Sequence, residues 1–422
     1  MVQAPPQLTA PILHQLSNGL TIVAEQMPIE AVNFSLWVRA GSAKESDAIN
    51  GLAHFLEHMV FKGTAHLDSG EFERLIEQRG GITNAATSQD YTFYYVTVAP
   101  QDFAAVAPLQ LDVVFNASIP ETAFERERLV VLEEIRRAED NPRRRVFYQA
   151  MELAFDQLPY RRPVLGPAKI VEQLTPQQMR DFHQSWYQPE AITAVAVGNL
   201  PVEKLIQTIE GELAAVKRRP IPVTPNWQQD ASFSEVVRHE FVDPRLQQAR
   251  LIMLWRVPGM EQLNQTYALD VLAKILGQGR TSRLIKDLRE DKGWVTNLSV
   301  SNMTQAFQGV FYISAQLPAE NLSVVESAIA LHIQSLQAEP VTSAELAQAQ
   351  IRTANQFIFG NETPASRANL YGYYQAIAAD LPAALSYPAQ IRAVTPEDLQ
   401  VAAQRYLATQ GYGVVVSRPA TA

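Results

Sequence analysis

The sequence has no cysteine in its 422 residues. That absence excludes disulfides, thiolate metal sites and cysteine nucleophiles together, so any metal must be held by histidine, aspartate or glutamate. Basic charge is also short: 35 Lys and Arg stand against 44 Asp and Glu, a formal net charge of -9. A chain of that sign is poorly suited to neutralising phosphates, which argues against nucleic-acid binding. No uninterrupted apolar run is long enough to cross a bilayer. The opening Met1-Val2-Gln3-Ala4-Pro5-Pro6 has neither a basic segment ahead of an apolar run nor an arginine-rich amphipathic pattern. The expected compartment is therefore the cytoplasm.

What remains, 47% hydrophobic and 19% charged residues, is the make-up of an ordinary globular protein. A single core rarely fills 422 residues, so two domains are expected. Residues 217–233 are rich in proline and lack periodicity, and they read as a linker between a domain at 1–216 and another at 234–422.

Histidine supplies the strongest signal. Ala53-His54-Phe55-Leu56-Glu57-His58-Met59 carries two histidines four positions apart with a glutamate just before the second. On a helix the two rings lie one above the other and can close on one tetrahedral zinc. Glu57, one position off, projects beside the metal, where it can take a proton from water. The order His-x-x-Glu-His is the inverzincin signature. Leu52, Phe55, Leu56 and Met59 give the same helix an apolar stripe, and an unpaired histidine pair buried there would be costly.

None of the other histidines, His14, His66, His183, His239 and His332, sits in a ligand pattern. A third ligand is therefore sought among carboxylates. Glu121–Glu139 has helical periodicity, and at 100° per residue Glu134 shares a stripe with Glu127, Val130 and Val131, whereas Glu133 falls with Arg126, Leu129 and Arg137. Glu134 is then the carboxylate turned away from solvent, either as zinc ligand or in a buried salt bridge, with Glu127 as a supporting carboxylate. Residues 82–98 read as two strands. The first, through Asn84-Ala85-Ala86-Thr87, is small and weakly patterned, which suits an edge strand, either plain or open to an extended peptide. The second half repeats this order without histidines: 250–257 reads as the third strand, 264–276 as the counterpart of the histidine helix, and 295–301 with 309–315 as the paired strands. The expected fold class is α+β: two duplicated α/β domains, each a mostly antiparallel sheet with helices packed on one face.

With these residues in place the chain resembles the pitrilysin family of zinc metallopeptidases, in particular the short-chain branch that includes mitochondrial processing peptidase and its bacterial relatives. The likeness runs through Ser17-Asn18-Gly19-Leu20, His54 to Thr64, Gly80-Gly81, Asn84, Ala85, Thr87 and Asp90, and Glu127-Arg128. It continues in Val130 to Ile135, Gly166, Gly198, Ser282-Arg283-Leu284, Leu288-Arg289-Glu290 and Gly293. The resemblance implies one Zn2+ per chain on His54, His58 and Glu134, Glu57 as general base, Glu127 supporting Glu134, and Asn84, Ala85, Ala86 and Thr87 as the strand on which peptide lies. It also implies a dimer enclosing a chamber that admits unfolded peptides. Self-sufficient members supply an arginine and, seven residues later, a tyrosine that bind substrate; here Arg289 is present, but the matching position is Thr296. The chain thus resembles the zinc-bearing subunit of a heterodimer whose partner carries the Arg/Tyr pair, a homodimer being the alternative. A non-catalytic scaffold subunit or a peptide-binding protein of the same fold is the competing reading.

Overall fold

Strand-forming alternation in the first half places apolar residues on both faces of a sheet. The computed structural model describes residues 10–213, 216, 220–223 and 227–420. Residues 1–6 of the N-terminal reading, and 217–219 and 224–226 of the expected linker, lie outside the described residues. Contacts group the chain into two units, each discontinuous in sequence. Met1–Ile135, Pro163–Pro225 and Ile358–Leu385 make the first, and Arg136–Arg162, Asn226–Phe357 and Ser386–Ala422 the second.

The first unit contains β1 (Ile12–Gln15), β2 (Thr21–Gln26), β3 (Val32–Val38), β4 (Ile82–Thr87), β5 (Thr92–Val98) and β6 (Ile192–Gly198), in the order β1-β2-β6-β3-β5-β4. β2 and β6 are parallel and every other pair is antiparallel. One face carries Ile22, Phe34, Leu36, Tyr94, Val96 and Ala194 into a core shared with the helices Leu52–Val60, Phe103–Phe115 and Pro176–Trp186. The opposite face is buried as well, because β3 alternates Trp37 against Leu36 and both are enclosed. A helix from far along the chain, Pro364–Ala378, covers it. Its Gly372 sits so close that a Cβ there would come within 2.1 Å of Trp37 Nε1. Glu25 of β2 accepts from Arg367 at 2.8 Å and from the Tyr371 hydroxyl at 2.8 Å, which ties this helix to the sheet through a buried ion pair.

The second unit contains β7 (Val237–Val242), β8 (Ala249–Pro258), β9 (Asn297–Met303), β10 (Gln308–Leu317) and β11 (Gly413–Arg418), ordered β7-β11-β8-β10-β9. That order matches β2-β6-β3-β5-β4 neighbour for neighbour, including one parallel pair, β7 with β11. The duplication is therefore present in the topology. Helices Tyr267–Gly277, Leu322–Ala338 and Pro396–Tyr406 fill the core on one face. Helix Pro142–Ala154 lies on the other, with Phe147 6.0 Å from Tyr312 and the Arg256 guanidinium donating to the Ala154 carbonyl. Among the described residues no helix is long and apolar enough to cross a membrane.

Candidate metal centre

The histidine helix, Leu52–Val60, is fixed at its first turn by two devices. Gly51 precedes it at φ +101, and a Cβ there would meet the Leu165 carbonyl oxygen at 2.6 Å, so only glycine fits. The buried Glu45 carboxylate accepts from Asn50 Nδ2 at 2.9 Å, Gly51 N at 3.0 Å and Ala53 N at 2.6 Å. A negative charge at this end also complements the helix dipole. With Phe55, Leu56 and Met59 fully buried on one side, His54 and His58 share another face, their ring centroids 4.8 Å apart.

The second contributor is the helix Glu121–Asp140. Phe124 and Val131 sink into the core of the first unit, and Arg128 donates to the carbonyls of Val171 at 2.8 Å, Glu172 at 2.7 Å and Leu174 at 2.9 Å. So anchored, the helix brings Glu134 Oε2 to 3.6 Å from His54 Nε2 and 3.6 Å from His58 Nε2. The expectation that Glu134 is turned away from solvent is corrected: Val130 of its stripe is 46% exposed and the Glu134 side chain itself 38% exposed. It is turned towards the two rings.

Those separations are too long for hydrogen bonds. They match the edge of a tetrahedron drawn around an ion with ligands at about 2.0–2.2 Å, which is roughly 3.3–3.6 Å. Burial, and then the neighbouring His58, hold the His54 pKa down at about 3, so its ring is neutral, the form that binds metals. Its Nδ1 is buried and makes no hydrogen bond. His58 Nδ1 lies 3.0 Å from Glu127 Oε1, which fixes the proton on Nδ1 and leaves the Nε2 lone pair facing Glu134. Lys62 Nζ, 2.9 Å from Glu127 Oε2, balances that carboxylate. Burial pushes the Glu127 carboxyl up, yet Lys62 and His58 outweigh it and the net shift is downward. Two imidazoles and one carboxylate suit zinc, and among the described residues this is the one cluster able to hold a metal.

Glu57 stands beside the cluster, its Oε2 accepting a hydrogen bond from the Thr87 hydroxyl. Burial raises its pKa and Glu134 adds to the rise, against Thr87 and His58. Thr87 ends β4, whose only described partner is β5, so its other edge is unpaired. Asn84 and Ala86 are exposed on that strand, and Ala85 and Thr87 half-buried. Arg289 is not among the residues the first unit brings together; it lies in the second unit, donating to Glu290 at 2.9 and 2.7 Å. The Thr296 hydroxyl is engaged with Gln248 Oε1 at 2.9 Å and the Gln316 carbonyl at 3.0 Å. Two contributors escaped the sequence reading. Lys62 follows His58 by four residues, so helical spacing pointed to it, whereas nothing in the pattern marks Glu45.

The chain is similar to known proteins in both sequence and fold. The family model described as Insulinase (Peptidase family M16) matches residues 21–168, and the model described as Peptidase M16 inactive domain matches 173–352. A protein of Mycobacterium tuberculosis described as an uncharacterized zinc protease is 29% identical over 424 residues, covering 98% of this chain and 94% of that one. Zinc protease PqqE of Helicobacter pylori is 26% identical over 402 residues, covering 93% of this chain and 89% of its own length. The crystal structure of a protease from Helicobacter pylori shares the fold at a TM-score of 0.91, with 24% identity over 97% of this chain and 99% of that one. A structure from Pseudomonas fluorescens described as a peptidase M16 inactive domain shares it at 0.87, with 20% identity over 98% and 99%.

Proposed function

The chain belongs to the M16, or pitrilysin, family of peptidases, and from that membership we propose that it is a zinc-dependent endopeptidase acting on unfolded peptides. The observation that carries this reading is the convergence of His54 Nε2 and His58 Nε2 on one oxygen of Glu134, with Glu57 alongside. We assign His54, His58 and Glu134 as the zinc ligands and correct the role of Glu127: expected to support Glu134, it lies against His58 and orients that ring instead. A bound zinc supplies Lewis acidity to a peptide carbonyl and lowers the pKa of water at the site. Glu57 accepts the proton of the attacking water and returns it to the leaving amide nitrogen. The Thr87 hydroxyl holds that carboxylate in place between the two transfers.

The unpaired edge of β4, Asn84-Ala85-Ala86-Thr87, offers backbone groups to an extended substrate, which adds as a further strand next to Glu57. Lying along that edge with a scissile bond beside Glu57 requires a chain extended over several residues on both sides of the bond, which favours unstructured peptides as substrates. Arg289 without a tyrosine at Thr296 supports a role as the zinc-bearing subunit of a chamber-forming heterodimer, since the threonine hydroxyl is already spent on Gln248 and Gln316. The scaffold alternative finds its support in the inactive-domain description that matches residues 173–352, but that stretch excludes all three proposed ligands.

The test is cleavage of a flexible fluorogenic peptide by zinc-loaded chain, with Glu57→Gln as the blank. We expect the variant to keep its zinc and lose about 10²–10⁴-fold in turnover. A zinc-loaded Glu57→Gln protein that turns over normally would sink the mechanism. A zinc-bound wild type that is inactive alone points to the heterodimer, and a chain that takes up no zinc returns the scaffold reading.

A further inference from the structure

The helix Pro142–Ala154 opens with Arg143-Arg144-Arg145. Arg145 is matched by Asp243. The other two have no ion pair among the described residues, and neither does Arg250 on β8, whose Nε is buried without a hydrogen bond. All three unmatched arginines line one cavity of about 380 Å³ within the second unit, and no acidic residue lines it.

The floor is the sheet face turned away from the core. Arg250 and Ile252 of β8 sit beside Ser314 of β10, which pairs in register with Ile252 and with Ser299 of β9. The first turns of the helix form the roof, and Phe147 against Tyr312 closes one wall. Every charged group facing this space is positive. Burial lowers the pKa of Arg250, and Arg143 lowers it further, the mark of two cations crowded together. A fold that leaves guanidinium groups partly desolvated and unpaired bears a cost that a bound anion removes. Guanidinium forks match the planar, bidentate geometry of carboxylate and phosphate oxygens, and the Ser299 and Ser314 hydroxyls add donors at the base.

We propose that this cavity binds a small dianionic oxyanion, a phosphate ester or a dicarboxylate, gripped by Arg143, Arg144 and Arg250 with Ser299 and Ser314 beneath. The site uses none of the residues assigned to zinc and is independent of the peptidase reading. Its size leaves room for a few carbon atoms beyond the anionic group, against Ile252 and Phe147.

Titration calorimetry on the full zinc-loaded chain tests this, with inorganic phosphate and succinate as probes against chloride at matched ionic strength. We expect one saturable site per chain, with a Kd below about 1 mM. Arg143→Met and Arg250→Met should each weaken it about tenfold or more, because each removes a charge-assisted pair. Arg392→Met, an exposed arginine that does not line the cavity, should leave it unchanged. Saturation by phosphate alone identifies a phosphate ester, by succinate alone a dicarboxylate, and by both the shared chemistry. No saturation above chloride, or equal binding by the Arg143 and Arg250 variants, overturns the proposal. Should Arg250→Met fail to fold, Arg143→Met on the exposed helix surface still decides.

Discussion

The histidine helix and its counterpart in the second unit, Tyr267–Gly277, put two kinds of polar cluster at the same place in the same topology. Matching the buried Phe55, Leu56, Met59 and Val60 to the buried Val271, Leu272, Ile275 and Leu276 sets Asp270 where His54 stands, Ala273 for Glu57 and Lys274 for His58. The facing helices agree. Gln350 donates to the carbonyls of Ile391 at 3.2 Å, Arg392 at 3.0 Å and Val394 at 2.8 Å, as Arg128 does to its own three carbonyls. Six residues beyond each anchor come Glu134 and Gln356.

In the second unit this set closes on itself. Asp270 accepts from Asn302 at 2.8 Å and from Tyr387 at 2.8 Å, and Lys274 donates to Gln278 at 2.6 Å and to Gln356. The ammonium of Lys274 provides the positive charge from within the chain. In the first unit the two Nε2 atoms and the Glu134 carboxylate face one another at 3.6 Å without hydrogen-bonding, which leaves the set open to a metal ion. The lesson is that buried polar residues alone do not mark a site; whether they satisfy one another does.

The sharpest break of the comparison is at Glu134. Glu134→Gln should cost more than about a hundredfold in zinc affinity, since a ligand outweighs the 10–100-fold typical of its supporting partners. Glu133→Gln should leave affinity unchanged, as read by metal content after chelator competition. Equal losses in the two would reverse the ligand assignment.

On the other side of the comparison, burial lifts the Asp270 pKa from 3.8 to about 6, against Asn302, Tyr387 and Lys274. A carboxyl raised in the folded state holds a proton that the unfolded chain has released. Stability therefore falls as pH rises from about 4 to about 6, by roughly 3 kcal/mol at 1.4 kcal/mol per pH unit. Asp270→Asn should remove that slope. Urea unfolding of both proteins across this range checks it, and parallel pH profiles would refute it. The mildest effect is expected at Glu127, where Glu127→Gln should weaken zinc binding by about 10–100-fold while its retained amide still reaches His58. No change in affinity would mean that the His58 tautomer needs no carboxylate.

Much of this was legible in the sequence because it is local. The spacing of His54, Glu57 and His58 is one helical turn, and β3 declares itself through period-two alternation. Glu134 was found by helical angle, although Val130 of the same stripe proved exposed. What stayed hidden depends on partners distant in sequence. The helices Pro142–Ala154 and Pro364–Ala378 cover sheet faces built from other parts of the chain. Glu45 caps a helix through a loop with no periodic mark. The second half reads as free of any ligand pattern, but the replacements Asp270, Lys274 and Gln356 emerge only once burial fixes the register.

The helix around Gly372 has a consequence in time. The last strand of the first sheet ends at Gly198, and the helix that seals the face beside Trp37 begins at Pro364. At synthesis rates of about 5–20 residues per second, roughly 8–33 s separate the two on the ribosome. During that interval Trp37 and the waiting carboxylate of Glu25 lack their cover, and the histidine-bearing unit cannot complete its fold. A nascent chain stalled short of Arg367 should therefore be a client for chaperones, because the sheet beside the candidate metal site is sealed only after the helix ending at Ala378 has been made.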